Sequence, residues 1–169
     1  IRNSQMSRAR IIADSWNNVA GSSTDVLSRR LEVDTTNDSY IDERIYRATT
    51  QYTTWTTIAT VTPSSVPASL FGSGMVEATI TGLTNGIGVG VHHSQQVWNF
   101  NAGVLTFTTM YTDESVATAP EFRLVSAGGS PEAIACQVQG SAGGGSITGA
   151  IFLRFHMPGN QQGVTYTIS

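Results

Sequence analysis

The feature that most constrains the fold of this chain is an apolar–polar alternation of period two, which begins at Val26 and continues almost to the C-terminus. Successive side chains of a strand point to opposite faces, so this pattern is typical of strands with one buried face. Thr and Val are enriched throughout, which favours strands further. The pattern predicts nine or ten short strands and almost no helix after Val26. These strands read VLSRRLEVD, ERIYRATTQYTTWTTIATVT, MVEATITGL, GIGVGVHH, QVWNF, VLTFTTMYT, EFRLVSA, EAIACQVQG, ITGAIFLRFHM and GVTYTIS.

The segments between these strands contain residues that favour turns. TNGI and NAGV are hairpin-length, SAGGSPE and QGSAGGGSITG are glycine-rich loops, and the two prolines of PSSVPASLFGSG forbid a central strand there. Short connections of this kind join antiparallel neighbours. The sequence therefore predicts an all-β domain, a jelly-roll-like antiparallel β-sandwich.

Only the N-terminal segment SQMSRARIIADSWNNVAG has a helical pattern, with Ser4 as the candidate N-cap. A helix of this length is unstable alone, so it must pack either on its own domain or on copies of itself, and both alternatives remain open. We divide the chain into a helical lead-in or stalk end, residues 1–21, and a β-sandwich domain, residues 22–169. The first residue is Ile1 rather than Met, which suggests a piece of a longer protein. The apolar stripe consists of Met6, Ala9, Ala13, Trp16 and Ala20.

The composition argues against several classes of function. Charged residues make up 12% of the 169 residues, against about 25% in an average soluble domain. The net charge is -3 and there is no basic cluster, so no nucleic-acid binding is expected. No apolar run reaches the about 18 residues of a membrane span, so no membrane insertion is expected. The single cysteine, Cys136, is predicted to be a buried strand residue.

The stretch NGIGVGVHH resembles a phosphate-binding loop or a metal site at first sight. No helix follows it, which excludes the dinucleotide fingerprint, and its alternation places Gly88 and Gly90 on one face of a strand. That face would leave room for an aromatic side chain such as Trp98, or for another subunit. His92 and His93 would point to opposite faces and could not share a metal ion. We therefore predict no metal site and no cofactor.

Catalysis has little support in the sequence, and we do not expect this fragment to be an enzyme. No G-x-S-x-G motif is present. A glycan-degrading enzyme with paired carboxylates in an intersubunit groove remains an alternative. Against it, neighbouring acidic residues in turns are usually solvated. The candidate carboxylates are Asp42, Glu43, Glu77, Asp113, Glu114, Glu121 and Glu132.

Carbohydrate binding is the chemistry that the composition favours, because flat aromatic rings stack on sugars and amides and hydroxyls bond to them. The candidate residues are Trp98, Trp55, Tyr111 and Asn99, of which Trp98 is the preferred one.

The region from Gly74 to Pro158 resembles the C-terminal domains of bacteriophage tail fibres and tailspikes. The resemblance lies in GMVEATITGLTNGIGVGVHHSQQVWNF, in the P-x-F-R-L strand at Pro120 to Leu124, and in the V-Q-V-like strand at Gln137 to Gln139. It implies a homotrimeric knob on a tail fibre or tailspike of the virion, which binds bacterial surface polysaccharide during host attachment. The alternative is a structural module that trimerises and stabilises the fibre, with recognition or depolymerase activity elsewhere in the longer chain.

Overall fold

The computed structural model is all-β over the residues that it describes, which are 17–19, 26–34, 39–47, 54–84, 88–115, 119–140, 147, 149–159 and 162–169. Within these ranges there are eleven strands and no helix. The strands are β1 (Asn17–Val19), β2 (Val26–Asp34), β3 (Ser39–Arg47), β4 (Thr56–Pro63), β5 (Gly72–Thr84), β6 (Gly88–Asn101), β7 (Val104–Glu114), β8 (Glu121–Gly128), β9 (Ala133–Gln139), β10 (Ala150–Met157) and β11 (Tyr166–Ile168).

The strands form two antiparallel sheets that pack face to face. The seven-stranded sheet has the order β1-β2-β3-β10-β5-β6-β7, and the four-stranded sheet has the order β11-β4-β9-β8. Every pairing of neighbouring strands is antiparallel. The predicted all-β sandwich with antiparallel neighbours is therefore confirmed.

The predicted N-terminal helix lies almost entirely outside the described residues. Its last described residues, Asn17–Val19, form strand β1 and pair with Val26–Ser28 of β2. For these three residues the helix prediction is wrong, because the ladder with β2 satisfies their backbone groups instead.

Two strand boundaries differ from the prediction. The long Thr-rich stretch ERIYRATTQYTTWTTIATVT contributes to two strands, β3 and β4, which belong to different sheets. Conversely, GIGVGVHH and QVWNF contribute to one strand, β6, which pairs with β5 from Gly88 to Phe100 and with β7 from His92 to Asn101. The polar residues Ser94, Gln95 and Gln96 continue the ladder, because one neighbouring strand lies on each side of them.

The core lies between the two sheets and follows the predicted alternation. From the seven-stranded sheet it takes Ile80, Trp98 and Phe155, and from the four-stranded sheet Ile134 and Val138, all fully buried. Each such side chain contributes about 1.5–3 kcal/mol by leaving water. Cys136 is also fully buried, as predicted, and burial raises the pKa of its thiol far above the ordinary range. The thiol is therefore inert at neutral pH.

The predicted turn NAGV joins β6 to β7 through Ala102 and Gly103, which have φ angles of 50° and 78°. Positive φ at both central residues gives the twist that two-residue hairpins require. The Gly103 amide also donates to the Leu70 carbonyl at 3.0 Å, which ties the turn to the loop before β5. The predicted glycine loop after β8 likewise has positive φ at Gly128 and Gly129.

A glycine on the neighbouring strand makes room for Trp98. Gly74 of β5 is paired with Trp98 of β6, and a Cβ atom at Gly74 would overlap the six-membered ring of the indole. Gly90, which the sequence suggested as the partner of an aromatic ring, is buried and pairs with Gly82. The prediction that Trp98 covers Gly88 and Gly90 is wrong, because all three residues belong to strand β6.

Three polar side chains connect the sheets. The Tyr40 hydroxyl donates to the Tyr166 carbonyl at 3.1 Å, and the Arg44 guanidinium donates to the Ile168 carbonyl at 2.7 Å. At the other end of the sandwich, the side-chain amide of Gln96 bonds to the backbone of β8. These bonds fix how the edge strands β11 and β8 lie against the seven-stranded sheet.

Candidate functional site

A cleft of about 380 Å³ lies beside β7 and β8, the last strands in the order of their two sheets. The inward-facing positions of β6 and β7 form one wall, β8 forms the other, and Trp55 stands just before β4. The lining residues are Trp55, His92, Gln96, Phe107, Thr109, Thr112, Glu114, Glu121, Phe122, Arg123 and Leu124.

Trp55 and Arg123 form a partly exposed stack on the β8 side of the cleft. The Arg123 guanidinium carbon lies 4.1 Å from the centroid of the Trp55 ring. The Arg123 Nε also donates to the Gln137 Oε1 at 2.9 Å, which fixes the guanidinium plane. A guanidinium over an indole is attracted by the negative face of the ring. The result is an ordered flat surface of the kind on which sugars stack.

His92 forms the opposite wall together with two carboxylates. It is only 3% exposed, and its Nδ1 lies 3.2 Å from the Glu114 Oε1. Burial lowers the pKa of His92, while the hydrogen bond to Glu114 and the charges of Glu114 and Glu121 act in the opposite direction. The imidazole is therefore neutral at pH 7. Its Nε2 has no hydrogen-bond partner in the part of the chain that the structure describes.

The four predicted carbohydrate-binding residues lie in different environments. Trp55 lines the cleft. Trp98 is 0% exposed and belongs to the core, so its ring presents no face to a ligand. Tyr111 and Asn99 are exposed on the outer face of the seven-stranded sheet, away from the cleft. Of the four, Trp55 is the residue that lines this cleft.

Tyr111 belongs to a second polar cluster, on the outer face of the large sheet. Its ring meets His93 edge-on at a centroid distance of 5.8 Å, and the His93 Nδ1 is 2.9 Å from the Thr79 hydroxyl. Further along the same face, Arg154 bridges Glu43 at 2.8 Å and Glu77 at 3.5 Å. Arg154 thus offsets part of the negative charge of the two carboxylates on this face.

The candidate carboxylates are distributed in a way that the sequence did not indicate. Asp42 and Glu43 lie within strand β3 rather than in a solvated turn, and Glu43 is 2% exposed. Asp113 and Glu114 point to opposite faces of β7, because neighbours in a strand alternate. Glu114 and Glu121 line the same cleft, although they lie on different strands. Residues 116–118, between these strands, lie outside the described ranges.

Sequence reasoning missed His92, Gln96, Glu121 and Arg123 as parts of one site. One signal was available for the first two: both share their strand face with Trp98, and a polar residue on a core-facing row needs a specific partner. Glu121 and Arg123 had no such signal, because their position beside β7 depends on the chain passing from the seven-stranded sheet at β7 to the four-stranded sheet at β8.

Among the described residues, no group of three or more His, Cys, Asp or Glu side chains is placed to hold a metal ion. The described part of the chain also contains no helix long and apolar enough to cross a membrane.

The comparisons with known proteins give one structural neighbour. No protein-family model and no curated protein sequence matches the chain. Among solved structures, the chain is similar to the tailspike protein of Acinetobacter phage vB_ApiP_P1, with 16% sequence identity and a TM-score of 0.42. The match covers 75% of this chain and 22% of that protein, so the chain spans less than a quarter of its length. A TM-score of this size does not establish a shared fold.

Proposed function

We propose that this chain is a carbohydrate-binding module and that the cleft beside β7 and β8 is its sugar site. The observation that carries this proposal is the Trp55–Arg123 stack at the side of a concave, polar-lined cleft. Sugar sites typically combine a flat ring, which packs on the C–H face of the sugar, with side chains that bond to its hydroxyls. Thr109, Thr112 and Glu114 supply such groups on the facing strand.

The biological setting of this module rests on the sequence resemblance. We infer a C-terminal, jelly-roll-like, homotrimeric knob on a phage tail fibre or tailspike, which contacts bacterial surface polysaccharide when the virion attaches to its host. The low charge and the Thr-rich sheet surfaces are compatible with an extracellular fibre. Depolymerase activity, if the longer protein has it, would then belong to another part of that protein.

A purely structural role is the second candidate, and one observation favours it. Val104 and Met110 on the edge strand β7 are 63% and 64% exposed. Exposed apolar groups on an edge strand are typical of surfaces that another chain covers. In this alternative the module trimerises and stabilises the fibre, and the cleft binds nothing.

Binding to immobilised bacterial polysaccharides, followed by titration with oligosaccharides from the best one, tests the sugar site. We expect the Trp55→Ala variant to bind at least about tenfold more weakly, since a buried aromatic contact of this kind contributes more than 1 kcal/mol to binding.

Phe71→Ala is the matched control, because Phe71 is an aromatic residue, 55% exposed, in the loop before β5 and outside the cleft. It should bind like the unaltered protein. Equal loss in both variants, or no binding of any polysaccharide at millimolar sugar, would overturn the sugar site and favour the structural role.

A further inference from the structure

The cleft has a pronounced excess of hydrogen-bond acceptors on its β6–β7 wall and at the start of β8. A carboxylate accepts hydrogen bonds and donates none, and the cleft contains two, Glu114 and Glu121. Glu114 is bonded to His92, whereas Glu121 accepts no hydrogen bond from the described residues. Both carboxylates are at least partly exposed, so a ligand that supplies charged donors can reach them directly and replace water there.

His92 adds a third acceptor. A neutral imidazole carries one N–H, and the 3.2 Å approach of Nδ1 to the Glu114 carboxylate assigns that proton to Nδ1. The Nε2 lone pair is then an acceptor, and it is the atom that lacks a partner among the described residues. An unpartnered polar atom on a side chain that is 97% buried, since His92 is 3% exposed, points to a missing donor.

Part of the donor capacity of the cleft is already engaged within the protein. The Arg123 guanidinium stacks on Trp55 and donates to Gln137. The Gln96 amide donates to the Phe122 carbonyl at 2.9 Å. With His92 neutral, two carboxylates face one guanidinium, so the formal charge of the cleft is negative.

We infer that the cleft selects a sugar with a free primary amine, bound as its ammonium against Glu114 and Glu121, over neutral and acidic sugars. This inference rests on the proposed function. An ammonium is a compact group with three donors and a positive charge, which matches an acceptor-rich, negatively charged wall. The sugar ring would pack on the Trp55–Arg123 stack at the same time. A carboxylated sugar would face repulsion from both glutamates.

Isothermal titration calorimetry with three tetrasaccharides tests this inference. The three are the tetramers of glucosamine, of N-acetylglucosamine and of galacturonic acid. At about pH 7 the buried His92 is neutral, and the protonated fraction of the glucosamine amine supplies the positive charge of the ligand. We expect the glucosamine tetramer to bind about tenfold more tightly than the N-acetylated one, which is the effect of one charge-assisted hydrogen bond. The galacturonic acid tetramer should bind most weakly.

Glu121→Gln should remove the preference, so that glucosamine and N-acetylglucosamine tetramers bind alike. Glu132→Gln is the matched control, because it removes the same charge at a residue that bonds to Ser126 outside the cleft; it should keep the preference. Preference that persists in Glu121→Gln, or is lost equally in both variants, would overturn the inference.

The failure of this inference is distinguishable from the failure of the sugar site itself. Equal binding of the three tetrasaccharides to the unaltered protein, weakened by Trp55→Ala, would leave the sugar site in place and overturn only the preference for an amine. No binding of any of the three would count against both.

Discussion

His92 shows how a single residue acquires its properties from both sheets. The strand alternation of β6 directs it inward, β7 supplies its hydrogen-bond partner Glu114, and β8 brings Glu121 close enough to act on it. The sequence correctly predicted that His92 and His93 point to opposite faces. It gave no indication that His92 is buried beside carboxylates, because those contacts connect residues that are distant in the chain.

The lowered pKa of His92 makes the stability of the fold depend on pH. Below the ordinary histidine pKa of about 6.5 the unfolded chain binds a proton that the folded chain does not. Stability is therefore complete above about pH 6.5, and it decreases as the pH falls from there towards the lower folded pKa. The charged or titratable groups that face or adjoin His92 are Glu114 of β7, Glu121 and Arg123 of β8, and His93 on its own strand.

Urea unfolding at a series of pH values measures this contribution. The free energy of unfolding should fall as the pH is lowered below about 6.5 in the unaltered protein, and it should fall less steeply in His92→Gln, which cannot titrate. Equal slopes in the two proteins would show that His92 does not titrate differently in the folded state.

The Gln96 side chain bonds to the backbone of β8, the edge strand of the smaller sheet. Its Nε2 donates to the Phe122 carbonyl at 2.9 Å, and its Oε1 accepts from the Leu124 amide at 2.8 Å. The side-chain amide thus bonds to β8 as the backbone of a neighbouring strand would. It therefore satisfies two backbone groups of β8 that have no neighbouring strand to pair with, and it fixes the position of one wall of the cleft.

Gln96→Leu keeps the volume of the side chain and removes both bonds. We expect a loss of about 2–5 kcal/mol in unfolding free energy, since two buried backbone groups are left without partners at about 1–3 kcal/mol each. Gln95→Leu, on the outer face of the same strand, should cost less than about 1 kcal/mol. Amide hydrogen exchange at Leu124 should accelerate only in Gln96→Leu, and unchanged exchange there would contradict the role of Gln96 in bonding to β8.

Local patterns explain most of the elements but not how they are assembled. The alternation and the turn residues predicted β7, β8 and β9 closely, because Gly103, Pro120 and Gly140 each lie directly beside one end of these strands. The division of residues 43–62 between two sheets had no such signal, because Thr and Tyr rather than Gly or Pro occur between β3 and β4. The cleft was not predictable for the same reason: it depends on which sheet each strand enters.

Strand β7 carries most of the large apolar side chains that are exposed among the described residues. No charged residue occurs from Val104 to Thr112, and Met110 and Tyr111 are 64% and 47% exposed. Charges, prolines and bulges usually protect edge strands from pairing with other chains. Here a bulge at Gln95/Gln96 leaves Met110 without a register partner. A second chain would therefore meet β7 through side chains more than through a continuous ladder.

The proposed homotrimer makes this surface testable by mass. Sedimentation equilibrium should give three times the 18.0 kDa of one chain, and Met110→Lys should shift the protein towards monomer, since a charge placed in an apolar contact must lose its water. Phe71→Lys introduces the same charge at an exposed apolar residue away from β7 and should leave the trimer intact. A monomeric unaltered protein would contradict the trimer, and a trimer that survives Met110→Lys would place its contacts elsewhere than β7. Because Trp55 and Glu121 lie on the β8 side of the cleft, sugar binding that persists in the monomeric variant would assign the site to a single chain.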